Sequence, residues 1–144
     1  MITGINTAIA WVLDQDAAKK FFTETLDLEV RADVEMGPGA RWLAVGVPGR
    51  PDVQVALLVP GPPALDPESG ERLKALLAEG ALVSKGILTA CTFTVDDCAA
   101  VHADLAARGV TFFREPEPFP WGVSASFTDG TGSCYELLEP SRTW

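Results

Sequence analysis

The sequence carries the same local pattern twice, 83 positions apart (97 − 14). Placing Asp14 on Asp97 puts Val12 on Val95, Ala17 on Ala100 and Phe22 on Leu105. An apolar strand end, an acidic residue able to cap a helix and an apolar helix position thus recur in one order. Two equivalent units follow, because each must bury the apolar side of its own sheet and helix, and the second unit is the partner the chain itself supplies. The first unit reads as a strand over 6–12, then a helix whose Ala17, Ala18, Phe21, Phe22 and Leu26 share a face while Lys19, Lys20 and Glu24 meet water. Three strands follow, one starting at Glu29-Val30-Arg31, one over 41–47 and one over 53–59, with turns at Gly37-Pro38-Gly39 and over 48–52. The second unit repeats the order: a strand over 87–95, a helix over 99–108 stopped by Gly109, then strands over 110–113, 122–127 and 133–138. A proline-rich bend and the run Asp129-Gly130-Thr131-Gly132 separate these last three.

The expected architecture is therefore α+β: two βαβββ modules, residues 1–60 and 87–144, forming a single domain over 1–144. Residues 61–86 would be a proline-rich connector whose helix carries Leu73, Leu76 and Leu77. The two sheets would lie side by side around a concave cleft, with helices on the outer faces. At 144 residues and 47% hydrophobic, the chain can fill such a core, which excludes disorder. Twenty Asp and Glu against eleven Lys and Arg give a net charge of −9, so nothing draws this surface to nucleic acid or anionic lipid. The longest apolar runs, such as 53–59 with Gln54 inside it, fall far short of the roughly 20 residues a membrane-spanning helix needs, and the start of the chain shows no secretory pattern. The expected home is cytoplasmic. Cys91, Cys98 and Cys134 lack CxxC spacing and read as three reduced thiols rather than a disulfide frame or zinc knuckle.

Several stretches together resemble the vicinal oxygen chelate superfamily, which includes glyoxalase I, bleomycin and fosfomycin resistance proteins and extradiol dioxygenases. The carriers are the run from Ala10 to Ala17 with Phe21-Phe22, then Phe93-Thr94-Val95-Asp96-Asp97, then Leu105-Ala106-Ala107-Arg108-Gly109-Val110, and the closing run from Phe127 to Leu137. Metal-dependent members of that superfamily place His or Glu on strands of both modules. The resemblance maps those four places onto Thr7, Ala90, approximately Ala56, and Glu136. Only Glu136 is a ligand type, and one carboxylate cannot supply the three or four donors a tight transition-metal site needs. A family-type metal site and any cofactor are therefore not expected. A substitute site from Asp129, Cys134 and Glu136 matches no recurrent metal spacing.

Strand alternation then assigns faces. Thr7, Ile9 and Trp11 oppose Ala8, Ala10 and Val12; Ala90, Thr92 and Thr94 oppose Cys91, Phe93 and Val95; Cys134, Glu136 and Leu138 oppose Tyr135 and Leu137. The bulkier apolar sets suit the helix-covered sides. The other sets would line a cavity dotted with hydroxyls and walled by Trp11, Trp42, Phe119 and Trp121. Thr7, Trp11, Trp42, Thr92, Trp121 and Glu136 are the expected ligand-binding residues, and Glu136 is the sole candidate for catalysis or for pairing with a cationic group. His102, the one histidine, sits on the helix of the second module, which should cover the outer side of the sheet, and reads as a helix-surface or half-buried residue, so no Ser-His or Cys-His pair is available unless His102 itself serves.

The resemblance implies a homodimer and, as the leading function, metal-independent binding of a small organic molecule, as in the drug-sequestering resistance proteins. The alternative is a lyase, isomerase or dioxygenase of the same superfamily, using a non-standard metal site or Glu136 as base. A protein-interaction module would instead require a closed cavity and a large exposed apolar patch.

Overall fold

Asp14 and Asp97 start the two halves in the same way. Both are extended, with φ of −135° and −143°, and each carboxylate accepts the backbone N–H three residues on, from Ala17 and Ala100, at 3.0 Å. These caps satisfy N–H groups that a helix start leaves without partners. The paired residues Val12, Phe22 and Leu105 all lie in the core. The computed structural model describes residues 1–80 and 89–141.

In the first module β1 (Thr7–Trp11) leads into α1 (Gln15–Lys20), which widens into one π turn over Phe21–Thr25. Then come β2 (Glu29–Gly37), β3 (Ala40–Gly46) and β4 (Gln54–Leu58). The connector folds α2 (Pro67–Glu79), capped by Asp66 and closed by Gly80 at φ 69°. The end of the connector and the expected strand start at 87 fall outside the described residues. The second module is β5 (Thr89–Thr94), α3 (Cys98–Ala107), β6 (Thr111–Phe119), β7 (Gly122–Thr128) and β8 (Cys134–Pro140).

The sheet orders are β1-β4-β3-β2 and β5-β8-β7-β6, so in each module the first strand runs parallel to the last and the other pairs are antiparallel. The fold is α+β, two four-stranded mixed sheets with three helices among the described residues, and β1 lies against β5. No helix among those residues is long and apolar enough to cross a membrane.

One buried cluster joins the halves. Phe22 meets Tyr135 edge to face at 5.2 Å, Phe21 meets Phe127 at 6.3 Å, and Leu43, Leu57, Leu105 and Leu137 close around them. Polar groups fasten the same seam. The Asp129-Gly130-Thr131-Gly132 turn reaches the start of α1: the Leu13 N–H donates to the Thr131 carbonyl at 2.8 Å, and the Thr131 hydroxyl oxygen accepts from the N–H of Leu13 and Asp14 at 3.0 and 3.3 Å. The Ser133 hydroxyl donates to the Trp11 carbonyl. The turn is held from beneath by Asp129, buried, which accepts the Tyr135 hydroxyl at 2.6 Å and the Thr131 N–H at 2.7 Å. The run thus serves as a joint between the modules.

One expected element differs. The proline-rich segment after Phe113 is not a bend but the rest of β6, paired with β7 as far as Phe119. Pro116 and Pro118 are tolerated because β6 is the outer strand of its sheet, where a missing N–H breaks no ladder on the open side.

Candidate functional site

The registers fix which side chains share the open side of each sheet. In the first sheet Thr7, Ile9 and Trp11 stand opposite Gln54, Ala56 and Leu58, Ala56 stands opposite Ala44, and Trp42 opposite Val34. Ala10, Val12, Leu43, Val45, Val55 and Leu57 point the other way into the core. In the second sheet Thr92 stands opposite Glu136, Glu136 opposite Ser126, and Ser126 opposite Arg114, so one row crosses all four strands. Tyr135 and Leu137 pack in the core, which leaves Glu136 on the open side, as alternation requires. The two open faces differ in kind: the first is apolar and tryptophan-bearing, the second polar.

Alternation is interrupted at several register shifts, and two of them move residues of the second open face. The β5–β8 register shifts between Thr89 and Thr92, and Ala90 packs against the core along with Cys91, so Ala90 does not join Thr92 as expected. On β6, Phe112 pairs with Phe127 but Arg114 pairs with Ser126, two residues on one strand against one on the other. The extra residue turns Arg114 from the helix side, where Phe112 packs against His102 at 4.4 Å, to the open side. Simple alternation from Phe112 would hide this arginine, and the sequence reading passed over it.

Arg114 organises the polar face. Its guanidinium donates to the Ser124 carbonyl at 3.1 Å and to the hydroxyl oxygens of Ser124 and Ser126 at 3.0 and 2.8 Å. It stacks on Phe119 at 5.0 Å, and Phe119 in turn stacks on Trp121 at 5.0 Å with an 11° interplanar angle. Glu136 lies 3.6 Å away and Glu117 3.7 Å, both too far for a hydrogen bond but close enough for charge attraction. The Thr92 hydroxyl reaches Glu136 only at 3.5 Å. Thr92, Trp121 and Glu136 are therefore brought together, with Arg114 between Glu136 and the aromatic pair.

Thr7, Trp11 and Trp42 belong to the first sheet. The Thr7 hydroxyl oxygen accepts the Gln54 side-chain amide at 3.2 Å. Trp42 lines a separate cavity of about 270 Å³, with Met36 on the β2–β3 side and Leu58 and the 61–64 proline loop on the other. Gln15 fixes the floor of this cavity by donating to the carbonyls of Arg41 and Leu57 at 3.0 and 2.8 Å.

Burial sets the protonation of several other groups. Burial pushes the Cys91 thiol up to about 12, and the Cys98 and Cys134 thiols are raised for the same reason. Burial raises the Asp129 carboxyl even though the Tyr135 hydroxyl hydrogen-bonds to it, and burial together with the neighbouring Asp129 raises the Tyr135 hydroxyl. On the surface, Arg41 and Lys19 hold the Asp33 carboxyl well below the usual carboxylate range. Among the described residues no three His, Cys, Asp or Glu side chains gather as a metal site. At the four places the resemblance maps, Thr7 is tied to Gln54, Ala56 and Ala90 carry no donor, and Glu136 faces a fixed cation. A divalent ion at Glu136 would meet Arg114, so these residues do not fit one.

Comparison with known proteins gives a consistent result. A family model described as Glyoxalase/Bleomycin resistance protein/Dioxygenase superfamily matches residues 4–137. The Bacillus subtilis (strain 168) protein YetH is 31% identical over 139 residues, covering 96% of this chain and all of YetH. The crystal structure of UcmS2 superposes with a TM-score of 0.81 at 35% identity, covering 96% of this chain and 99% of that one. That of TnmS3, an antibiotic binding protein from Streptomyces sp. CB03234, superposes with a TM-score of 0.72 at 30% identity, covering 97% and 98%.

Proposed function

The chain belongs to the Glyoxalase/Bleomycin resistance protein/Dioxygenase superfamily, and from that premise we propose that it binds a small aromatic compound on the open faces of its two sheets without using a metal ion. The observation that carries this reading is the Glu136–Arg114 juxtaposition at 3.6 Å: the one carboxylate at the mapped ligand places is already balanced by a cation that the protein itself fixes through Ser124 and Ser126. Trp11, Trp42 and Trp121 supply stacking surface, and Thr7, Thr92 and Glu136 supply polar contacts. The similarity to TnmS3 supports a ligand of the antibiotic kind. A homodimer is part of the same proposal, because Ile9, Val34 and Met36 on the first sheet are 45%, 49% and 64% exposed and a second copy would cover them.

The test is a thermal-shift panel of polycyclic aromatic compounds, run in excess chelator and again with zinc, nickel or manganese. A ligand at 100 times its Kd adds about 2.7 kcal/mol to folding stability, which for this length corresponds to about 5–10 °C. The reading expects such shifts in chelator. Shifts that appear only with added metal, or turnover dependent on metal, would overturn it.

A further inference from the structure

We propose that the cavity beside Trp42 seats the ligand's aromatic ring system, and that it takes a ring bearing no negative charge. This rests on the aromatic-ligand reading above and adds where the ring sits and what it carries. The cavity holds about 270 Å³ between Trp42, Met36 and Leu58 of the first sheet and Pro62 and Pro63 of the connector, room for about two fused rings. The indole of Trp42 offers a flat face for stacking, and the proline rings offer C–H groups and no N–H. The connector wall is fixed in advance. Pro60 is fully buried, the Leu65 N–H donates to the Gly61 carbonyl at 2.8 Å, and Gly70 of α2 lies so close that a Cβ there would stand 2.7 Å from the Gly61 Cα. The helix α2 therefore braces the loop, and a ring meets that wall without first having to order it.

The polar groups at the cavity are poor partners for an anion. Gln15 spends both side-chain amide hydrogens on the carbonyls of Arg41 and Leu57 at 3.0 and 2.8 Å, which leaves its oxygen, an acceptor. Arg41 is the one charged residue among the described residues that line the cavity, and its guanidinium donates to Asp16 at 2.7 Å and to Asp33 at 2.8 and 3.0 Å. Lys19 holds the same Asp33 at 2.8 Å, and Glu35 stands opposite Arg41 on β2. Two cations thus share the neighbourhood with three carboxylates, and an anion drawn to Arg41 also meets that excess of negative charge. The net charge of −9 acts in the same direction at longer range. A neutral ring meets no such opposition, because the walls it touches are apolar.

The experiment titrates the isotope-labelled chain at pH 7 with 2-naphthylmethanol and with 2-naphthoate and follows the tryptophan indole N–H signals by NMR, assigned with Trp11→Phe, Trp42→Phe and Trp121→Phe. The Trp42 signal is expected to move most with naphthylmethanol, and naphthoate to bind at least tenfold more weakly. Gly70→Ala, which pushes on the loop without touching the ring, should weaken naphthylmethanol at least fivefold while the Trp11 and Trp121 signals of the free protein keep their places. A largest shift at Trp11 or Trp121, a naphthoate Kd less than tenfold weaker, or a folded Gly70→Ala chain within fivefold of wild-type affinity would each overturn the proposal and leave aromatic binding intact. A Trp42 signal that moves with protein concentration and not with probe would overturn it too, since a second copy then fills the cavity. If Gly70→Ala fails to fold, the indole shifts and the two affinities of the wild type still decide. Absence of binding by both probes would overturn this proposal and the aromatic-ligand reading together.

Discussion

Replacing Tyr135 with Phe isolates the polar joint between the modules. The substitution keeps the ring that packs on Phe22 and Phe127 at 5.2 and 5.5 Å and deletes only the hydroxyl that donates to Asp129 at 2.6 Å. Asp129 is 6% exposed, so water does not replace the lost donor, while the N–H of Thr131 at 2.7 Å remains. A hydrogen bond to a charged group contributes roughly 1.5–3 kcal/mol, so a loss of about 2 kcal/mol at pH 7 is expected. For a chain of this length that lowers Tm by about 4–8 °C. The sign of the pH dependence provides an internal control. The folded-state pKa of Asp129 is raised by burial, so the carboxyl contributes stability below its unfolded value near 3.8 that is lost as pH rises through the folded value. Removing a donor that favours the ionised form worsens the neutral-pH state more than the acid one. The difference between Tyr135→Phe and wild type, measured by urea denaturation, should therefore shrink between pH 7 and pH 4. A difference under about 0.5 kcal/mol at pH 7, or one that grows on acidification, would refute the assignment of this bond to the joint.

Three further outcomes are expected. Asp33→Asn should cost about 1 kcal/mol or less at pH 7, since its partners Arg41 and Lys19 are partly solvated. Because the Asp33 pKa is lowered in the fold, that cost is present above the unfolded value near 3.8 and fades as pH falls through the folded value, which urea titrations at pH 7 and pH 2.5 will show. Gly122→Ala should destabilise by at least about 2 kcal/mol, because Gly122 has φ 145° and an added Cβ would sit 2.2 Å from the Glu139 carbonyl oxygen; retention of the wild-type Tm would contradict the β7–β8 register. With the Cys91 thiol pushed up to about 12 and the Cys98 and Cys134 thiols also raised, Ellman's reagent at pH 8 should label the native protein slowly and all three cysteines rapidly in 6 M urea.

Much of this molecule is readable from local rules because those rules decide it locally. Asp14 and Asp97 cap their helices wherever the rest of the chain goes, and the period of two puts Tyr135 and Leu137 in the core and Glu136 outside it. What escaped depends on pairing between strands. The bulge after Phe112 is a property of the β6–β7 register and not of the residues flanking it, so Arg114 emerges on the open face only when both strands are in place. The same holds for Ala90, moved by the shift between Thr89 and Thr92, and for the prolines of β6, which are acceptable only on an outer strand. Glu136 could be picked out by type and parity, but its partner could not, and that partner changes what the carboxylate can do. Trp42 is legible as an aromatic wall, whereas its cavity is bounded by the proline loop at 61–64, a long-range contact that periodicity does not encode.

Calorimetric titration of the chelator-treated protein with the most stabilising aromatic compound, repeated after incubation with zinc, addresses the absence of a metal requirement most directly. The account predicts saturable binding with Kd values within about threefold in the two states, a difference under about 0.7 kcal/mol. Binding that vanishes in chelator and returns with one equivalent of metal would contradict it.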